Sequence, residues 1–150
     1  MKKLFGCIKK CSPYLLLFLI PAVNFYLLEW YTHDPFSTME PRVQLLNILL
    51  FELLALFLFA LTGRINSALM IQTAFCAIYG LAGFYVLEFR GAPIQPWDLL
   101  SLGTAASVAD NYDYSLDRDA AISLLSLIAL FLLEFFIKAR FPRRKAAAKE

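Results

Sequence analysis

Four residues in one short stretch could together recognise a ligand: Glu88, Arg90, Trp97 and Asp98. They bring both signs of charge and an indole together around Gly91, Pro93 and Pro96. A guanidinium can bind a phosphate through two parallel hydrogen bonds, which the ammonium of Lys cannot imitate. Arg90 could therefore hold a lipid phosphate, or it could pair with Asp98 or Glu88 and keep the turn closed. Both roles are open on sequence grounds. Two further carboxylates lie inside apolar runs. Glu52 sits near the middle of its run, so it should face other helices and be protonated or hydrogen-bonded. Glu134 lies near the end of its run, where snorkelling to the interface would suffice. A proton relay would require both to face one cavity. His33 is the only histidine and falls in a polar loop, as a solvated residue. Cys7 and Cys11 have no histidine nearby and make a poor metal site. They read as reduced thiols, with acylation beside a membrane as the alternative. Cys76 reads as a packing residue. Gly-rich phosphate loops, His/Cys clusters and Ser/His/Asp sets are missing from the sequence. No catalytic residue, metal ligand or cofactor is therefore expected in this chain. The remaining loop acids are scattered, like those of a solvated acidic loop.

The elements that must position these residues are apolar. Hydrophobic residues make up 60% of the sequence and aromatics 15%, with 14 Phe, and mean hydropathy is +0.63, too apolar for an ordinary soluble domain. The pattern predicts an all-α membrane protein of four transmembrane helices plus a short outer-interface helix. Residues 1–138 form the transmembrane module and 139–150 a basic tail, expected to be disordered and cytoplasmic. The spans are placed at about 14–31, 43–62, 67–87 and 120–137, each long enough, at 1.5 Å per residue, to approach or cross a bilayer core of roughly 30 Å. The start is basic, but apolar sequence continues beyond Pro21-Ala22-Val23-Asn24, as in an uncleaved anchor rather than a signal peptide. Pro21 should kink the first span, and Asn24 needs a partner inside the bundle. Glu29, Trp30 and Tyr31 mark the far interface. Thr32 to Arg42 reads as a polar loop, and Gly63-Arg64-Ile65-Asn66 as a tight turn. The third span carries Ser67, Ala68, Ala74, Ala77, Gly80, Ala82 and Gly83, small residues that permit close helix contact.

The segment after the third span reads as membrane exit, turn and interfacial helix. Gly91 allows the backbone to turn after Arg90. Pro93 and Pro96 hold the residues before them extended. Pro96 can then open a helix over about 97–110, with Asp98 in its first turn. That helix has apolar residues on two faces, which suits a position between the bilayer and another protein layer. Tyr112 to Asp119 is an acidic loop. Eleven of the 14 Lys and Arg residues fall on the side of the two termini and Arg64; Arg42, Arg90 and Arg118 fall on the other. The bias of Lys and Arg toward the cytoplasmic side puts both termini inside and the stretch from Arg90 to Asp119 outside.

The stretch Phe84-Tyr85-Val86-Leu87-Glu88-Phe89-Arg90-Gly91, then Pro93-Ile94, Pro96-Trp97-Asp98-Leu99, then Thr104 to Tyr112, resembles the membrane portion of the lipoteichoic acid synthase family. These are bacterial cell-membrane enzymes with a sulfatase-like domain outside the cell. The resemblance covers most of the chain; its specific part is the Arg-Gly-x-Pro-Ile-x-Pro-Trp-Asp-Leu run. It implies transfer of glycerol phosphate from phosphatidylglycerol to a growing polymer, with a Thr nucleophile and a divalent metal such as manganese. Those residues belong to the extracellular domain, which this sequence lacks together with the span leading into it. The expected role is a membrane module without its own chemistry, truncated, split or stand-alone. The expected partners are the lipid bilayer, phosphatidylglycerol and a separately encoded sulfatase-like domain; no nucleic acid is expected. A small oligomeric four-span transporter and an assembly protein for envelope enzymes are the alternatives.

The charge distribution has a direct test. Single cysteines introduced as Ser37→Cys and Ser115→Cys should react with a membrane-impermeant maleimide on intact cells, and Ala147→Cys only after lysis. Outside labelling of Ala147→Cys, or protection of Ser115→Cys, would overturn the assignment.

Overall fold

The computed structural model describes residues 2–95, 97 and 115–136, with side chains from residue 15 onward in the first helix. Every regular element among these residues is helical. In chain order they are α1 (Lys2–Glu29), α2 (Pro35–Thr38), α3 (Pro41–Thr62), α4 (Ile65–Arg90) and α5 (Arg118–Phe135). α3 and α4 are long and apolar enough to cross a membrane, by length and composition. The predicted interfacial helix, about 97–110, and the tail, 139–150, lie outside the described residues apart from Trp97.

The ends of the helices follow local chemistry. Gly63 (φ +65°) and Gly91 (φ +69°) take left-handed backbone and close α3 and α4, their N–H groups bonding to Phe59 O and Leu87 O at 2.8 Å. Glycine reaches that conformation without a steric penalty. Asp117 caps α5 by accepting from Ala120 N at 2.7 Å, and Pro41 occupies the first turn of α3, where a missing N–H costs nothing. The segment expected as a plain loop after α1 contains α2, capped by Asp34, whose Oδ1 accepts from Phe36 N at 3.0 Å. α1 also differs from expectation. It starts well before residue 14 and runs on through Pro21 as one helix, with Pro21 itself fully buried.

Gln44 fixes this connection. Its Nε2 donates to Pro35 O (3.0 Å) and Met39 O (2.8 Å), and its Oε1 accepts from Tyr26 Oη (3.0 Å). The Tyr26 ring stacks on Phe36 at 4.8 Å.

α4 is the central helix. α1 lies parallel to it: Leu17 and Ile20 share a buried cluster with Ile65 and Leu69, Asn24 bonds to Thr73, and Tyr31 lies over Gly80. α5 runs antiparallel, with Glu134 at the level of Thr73 and Ala120 clustered with Phe84. α3 returns antiparallel through the Gly63 turn. Gln72 of α4 ties the two together, its Nε2 donating to Phe51 O at 2.9 Å. The expected close approach at small residues occurs at Ala68, which is fully buried, and at Gly80. Tyr31 is 2% exposed and packed on Gly80.

Gly80 and Gly83 make contrasting sites. A Cβ at Gly80 would lie 2.6 Å from the Tyr31 ring and 3.0 Å from Leu28, whereas one at Gly83 would meet nothing within 4 Å. Gly80→Ala should therefore destabilise the bundle by about 1–3 kcal/mol, the usual cost of overpacking, while Gly83→Ala should be near neutral. Thermal unfolding in detergent measures both, and Tyr31→Leu should recover part of the Gly80→Ala loss.

Candidate functional site

Glu88 and Arg90 are exposed in the last turn of α4, Trp97 is 63% exposed, and Asp98 lies outside the described residues. Gly91 turns the chain as expected. Below that turn lies an open groove of about 410 Å³, lined by Leu28, Glu29, His33, Gly83, Leu87 and Ile94 among others. It exists because α4 extends beyond the end of α1 at Glu29, while Pro93 and Ile94 form part of its wall after the Gly91 turn. Its floor is apolar and its rim polar. The rim holds His33 Nε2 and Glu29 Oε2, 3.2 Å apart, with Thr32 Oγ1 3.0 Å from His33 Nδ1. His33 is thus on the surface, as expected, but paired. The signal for that pairing was the spacing of four between Glu29 and His33, which puts them on one helical face.

A second constellation is enclosed. Asn24 of α1, Thr73 of α4 and Glu134 of α5 are all fully buried. Asn24 Nδ2 donates to Thr73 Oγ1 at 2.9 Å, and Thr73 Oγ1 donates to Glu134 Oε1 at 2.7 Å. Asn24 has the partner it required. Glu134, expected to snorkel, instead sits inside the bundle, because α5 is antiparallel to α4 and brings its last turn to the level of Thr73 rather than to the Gly63 end. Thr73 and Gln72 were not singled out from the sequence. The usable signal was two adjacent polar residues within an apolar run, which must each find a partner on another helix. Glu52 is half-buried, with Oε2 enclosed and without a hydrogen-bond partner. No contact joins it to Glu134, so the two carboxylates do not share one hydrogen-bonded site. Cys76 is fully buried in a hydrophobic cluster, the packing role expected for it.

Among the described residues, no three His, Cys, Asp or Glu side chains come together as metal ligands would. Comparison of the chain with protein-family models, curated proteins and solved structures gave no match.

Removing the central hydroxyl should show what the array contributes. Hydrogen bonds between membrane helices average about 0.6 kcal/mol and reach about 1.7. Thr73→Val deletes two of them and leaves Asn24 and Glu134 facing a methyl group. A loss of roughly 1–3 kcal/mol is expected, whereas Thr73→Ser should retain most of the stability. Denaturation of the purified protein in mixed micelles measures the difference.

Proposed function

We propose that the chain is the multi-pass membrane module of a lipoteichoic acid synthase-like phosphoglycerol transferase in a bacterial cell membrane. In this reading it crosses the membrane four times with both termini in the cytoplasm and serves a sulfatase-like domain outside. The observation that carries the membrane part is the exposure of α3. That helix has a mean hydropathy of 2.4 over its most apolar stretch, yet Ala55 is its only buried residue. A core helix of a soluble protein with this composition would be buried. Here Leu45, Leu46, Leu49, Leu50, Leu53 and Phe57 are all more than half exposed, a surface suited to acyl chains rather than water. Polar Asn24, Gln72, Thr73 and Glu134 are enclosed instead. This inside-out distribution supports the reading.

The phosphoglycerol transferase part draws on the resemblance of the Arg90 to Leu99 run and on the place of that run in the fold. Pro93 and Ile94 of the run line the groove beside Glu29 and His33. A phosphatidylglycerol could lay one acyl chain along the apolar floor, with its phosphate and glycerol hydroxyls at the polar rim. Arg90, at the same end of α4, stands at the phosphate level. The divalent metal of the family finds no donor set among the described residues, and no step here is routed through one. The second reading, a small oligomeric transporter, draws on the enclosed carboxylate of Glu134.

Lipid retention tests the proposal. Protein purified from bilayers of equal phosphatidylglycerol and phosphatidylcholine should retain phosphatidylglycerol preferentially, as counted by native mass spectrometry. Gly83→Phe, which fills the groove without a clash at Cβ, should abolish the preference, and Arg90→Lys should weaken it. Equal retention of both lipids, or a preference unchanged by both variants, would remove the lipid role.

A further inference from the structure

Asn24, Thr73 and Glu134 form a polar layer between two apolar ones. Leu17, Ile20, Ala55, Ile65 and Leu69 pack on the Gly63 side. Tyr31, Cys76, Phe84, Ala120 and Leu127 pack on the Gly91 side. Thr73 Oγ1 lies 2.7 Å from Glu134 Oε1 and 3.2 Å from Asn24 Oδ1; its single proton suits the nearer carboxyl oxygen, and the hydroxyl accepts from Asn24 Nδ2 at 2.9 Å. Glu134 Oε2 is buried and has no hydrogen-bond partner.

This geometry discriminates between the forms of the carboxyl. An ionised Glu134 would place a full charge in an enclosed site with one donor, and a charge needs more compensation than that. Among the described residues, Arg42, Arg64, Arg90 and Arg118 are exposed at or near helix ends, and His33 is on the groove rim. None of these cations belongs to the buried layers. A proton on Oε2 removes the charge and leaves only one weaker demand unmet. A hard cation fits less well, since such ions take about six oxygen ligands and the side chains of Asn24, Thr73 and Glu134 together offer four. The other titratable groups near the site are Cys76 on the same side of α4, within electrostatic reach of Glu134, and Glu52 on α3. On α1 the described titratable groups, Tyr26 and Glu29, lie toward the Gly91 end. On α5 itself, Arg118 and Asp119 lie at the opposite end.

We propose that Glu134 is a proton-binding site joining three helices, and that release of its proton loosens the seat of α5 on α1 and α4. α5 is the element that responds, because among the described residues Thr73 is the one partner that holds its last turn by a side-chain hydrogen bond. The proposal does not depend on the lipid role: Thr73 lies ten residues, nearly three turns, along α4 from Gly83 of the groove, and the proposal would stand if the groove bound nothing.

The test uses the full chain in nanodiscs with Cys7→Ser and Cys11→Ser, so that Cys76 is the only thiol. Cys76 is fully buried and shares a cluster with Leu127 of α5, so it reports whether that seat is open. Its modification rate by N-ethylmaleimide is measured from about pH 5 to about pH 9, a range that reaches the strongly perturbed carboxyl groups of protein interiors. Each rate is divided by the rate in the Glu134→Gln protein at the same pH; an ionised Glu134 near the thiol disfavours the thiolate and lowers this ratio, so a rise reports opening of the seat. The expected ratio is close to one at the acid end and rises at least tenfold toward the alkaline end. A ratio that stays flat overturns the proposal. Should Glu134→Gln fail to fold, infrared spectroscopy of the native sequence decides. A protonated-carboxyl carbonyl band should disappear as pH rises, persist in Glu52→Gln and shift in Thr73→Val. No pH-sensitive band, or its loss in Glu52→Gln, also overturns it.

Discussion

One hydroxyl group joins three of the long helices. Thr73 Oγ1 accepts from α1 and donates to α5, so its two hydrogen bonds fix the heights of both neighbours against α4. Within a bilayer, apolar burial between helices brings little gain, since lipid tails are as apolar as leucine. Register must come from close packing and from polar groups that have only one satisfactory arrangement. A one-turn slip of α1 or α5 would separate donor from acceptor and leave a buried amide or carboxyl unpaired. The individual bonds are weak, and the energetic asymmetry between made and unmade ones makes the register specific.

Packing around this joint is uneven. Between α1 and α4, Gly80 accepts the Tyr31 ring at a distance that no side chain would allow, and the apolar clusters lie on either side of the polar layer. α3 is held differently. It has one buried residue, Ala55, and one side-chain hydrogen bond to α4, from Gln72 to the carbonyl of Phe51. A carbonyl already within a helix can accept this second bond because oxygen has two lone pairs. The result is α4 packed against α1, α3 and α5, with α3 also packed on α1 and its remaining surface turned outward.

Much of this was legible in the sequence because it depends on local rules. The two glycine stops, the apolar runs of α3, α4 and α5, the turn at Gly63 and the need of Asn24 for a partner all follow from residue type and spacing. Partner identity did not follow. Nothing in spacing says that Asn24 meets Thr73 rather than Gln72, because that depends on the rotation of α1 about its axis. Glu134 was misplaced for a related reason: distance from the end of an apolar run gives depth only if the helix spans the full thickness, and α5 is shorter than α4. Of the outer residues, Glu88, Arg90 and Trp97 are exposed at the end of α4 and beyond it, where residue spacing does not specify geometry. The groove arises from the unequal ends of α1 and α4, a length difference that composition alone does not measure.

The same three-helix joint constrains the order in which the protein can be made. Asn24 and Thr73 are separated by 49 positions, and Thr73 and Glu134 by 61. At synthesis rates of roughly 5–20 residues per second, Asn24 waits about 2–10 s for its partner, and Thr73 waits a few seconds longer for the carboxyl. During the first interval α1 and α3 can already meet, but the amide has no mate. During the second, α1 and α4 can lock through Tyr31 and Gly80 while the socket for α5 stays open. α5, which emerges after both, therefore docks into a preformed cleft between α1 and α4, and its glutamate is the last of these three polar groups to be taken out of water.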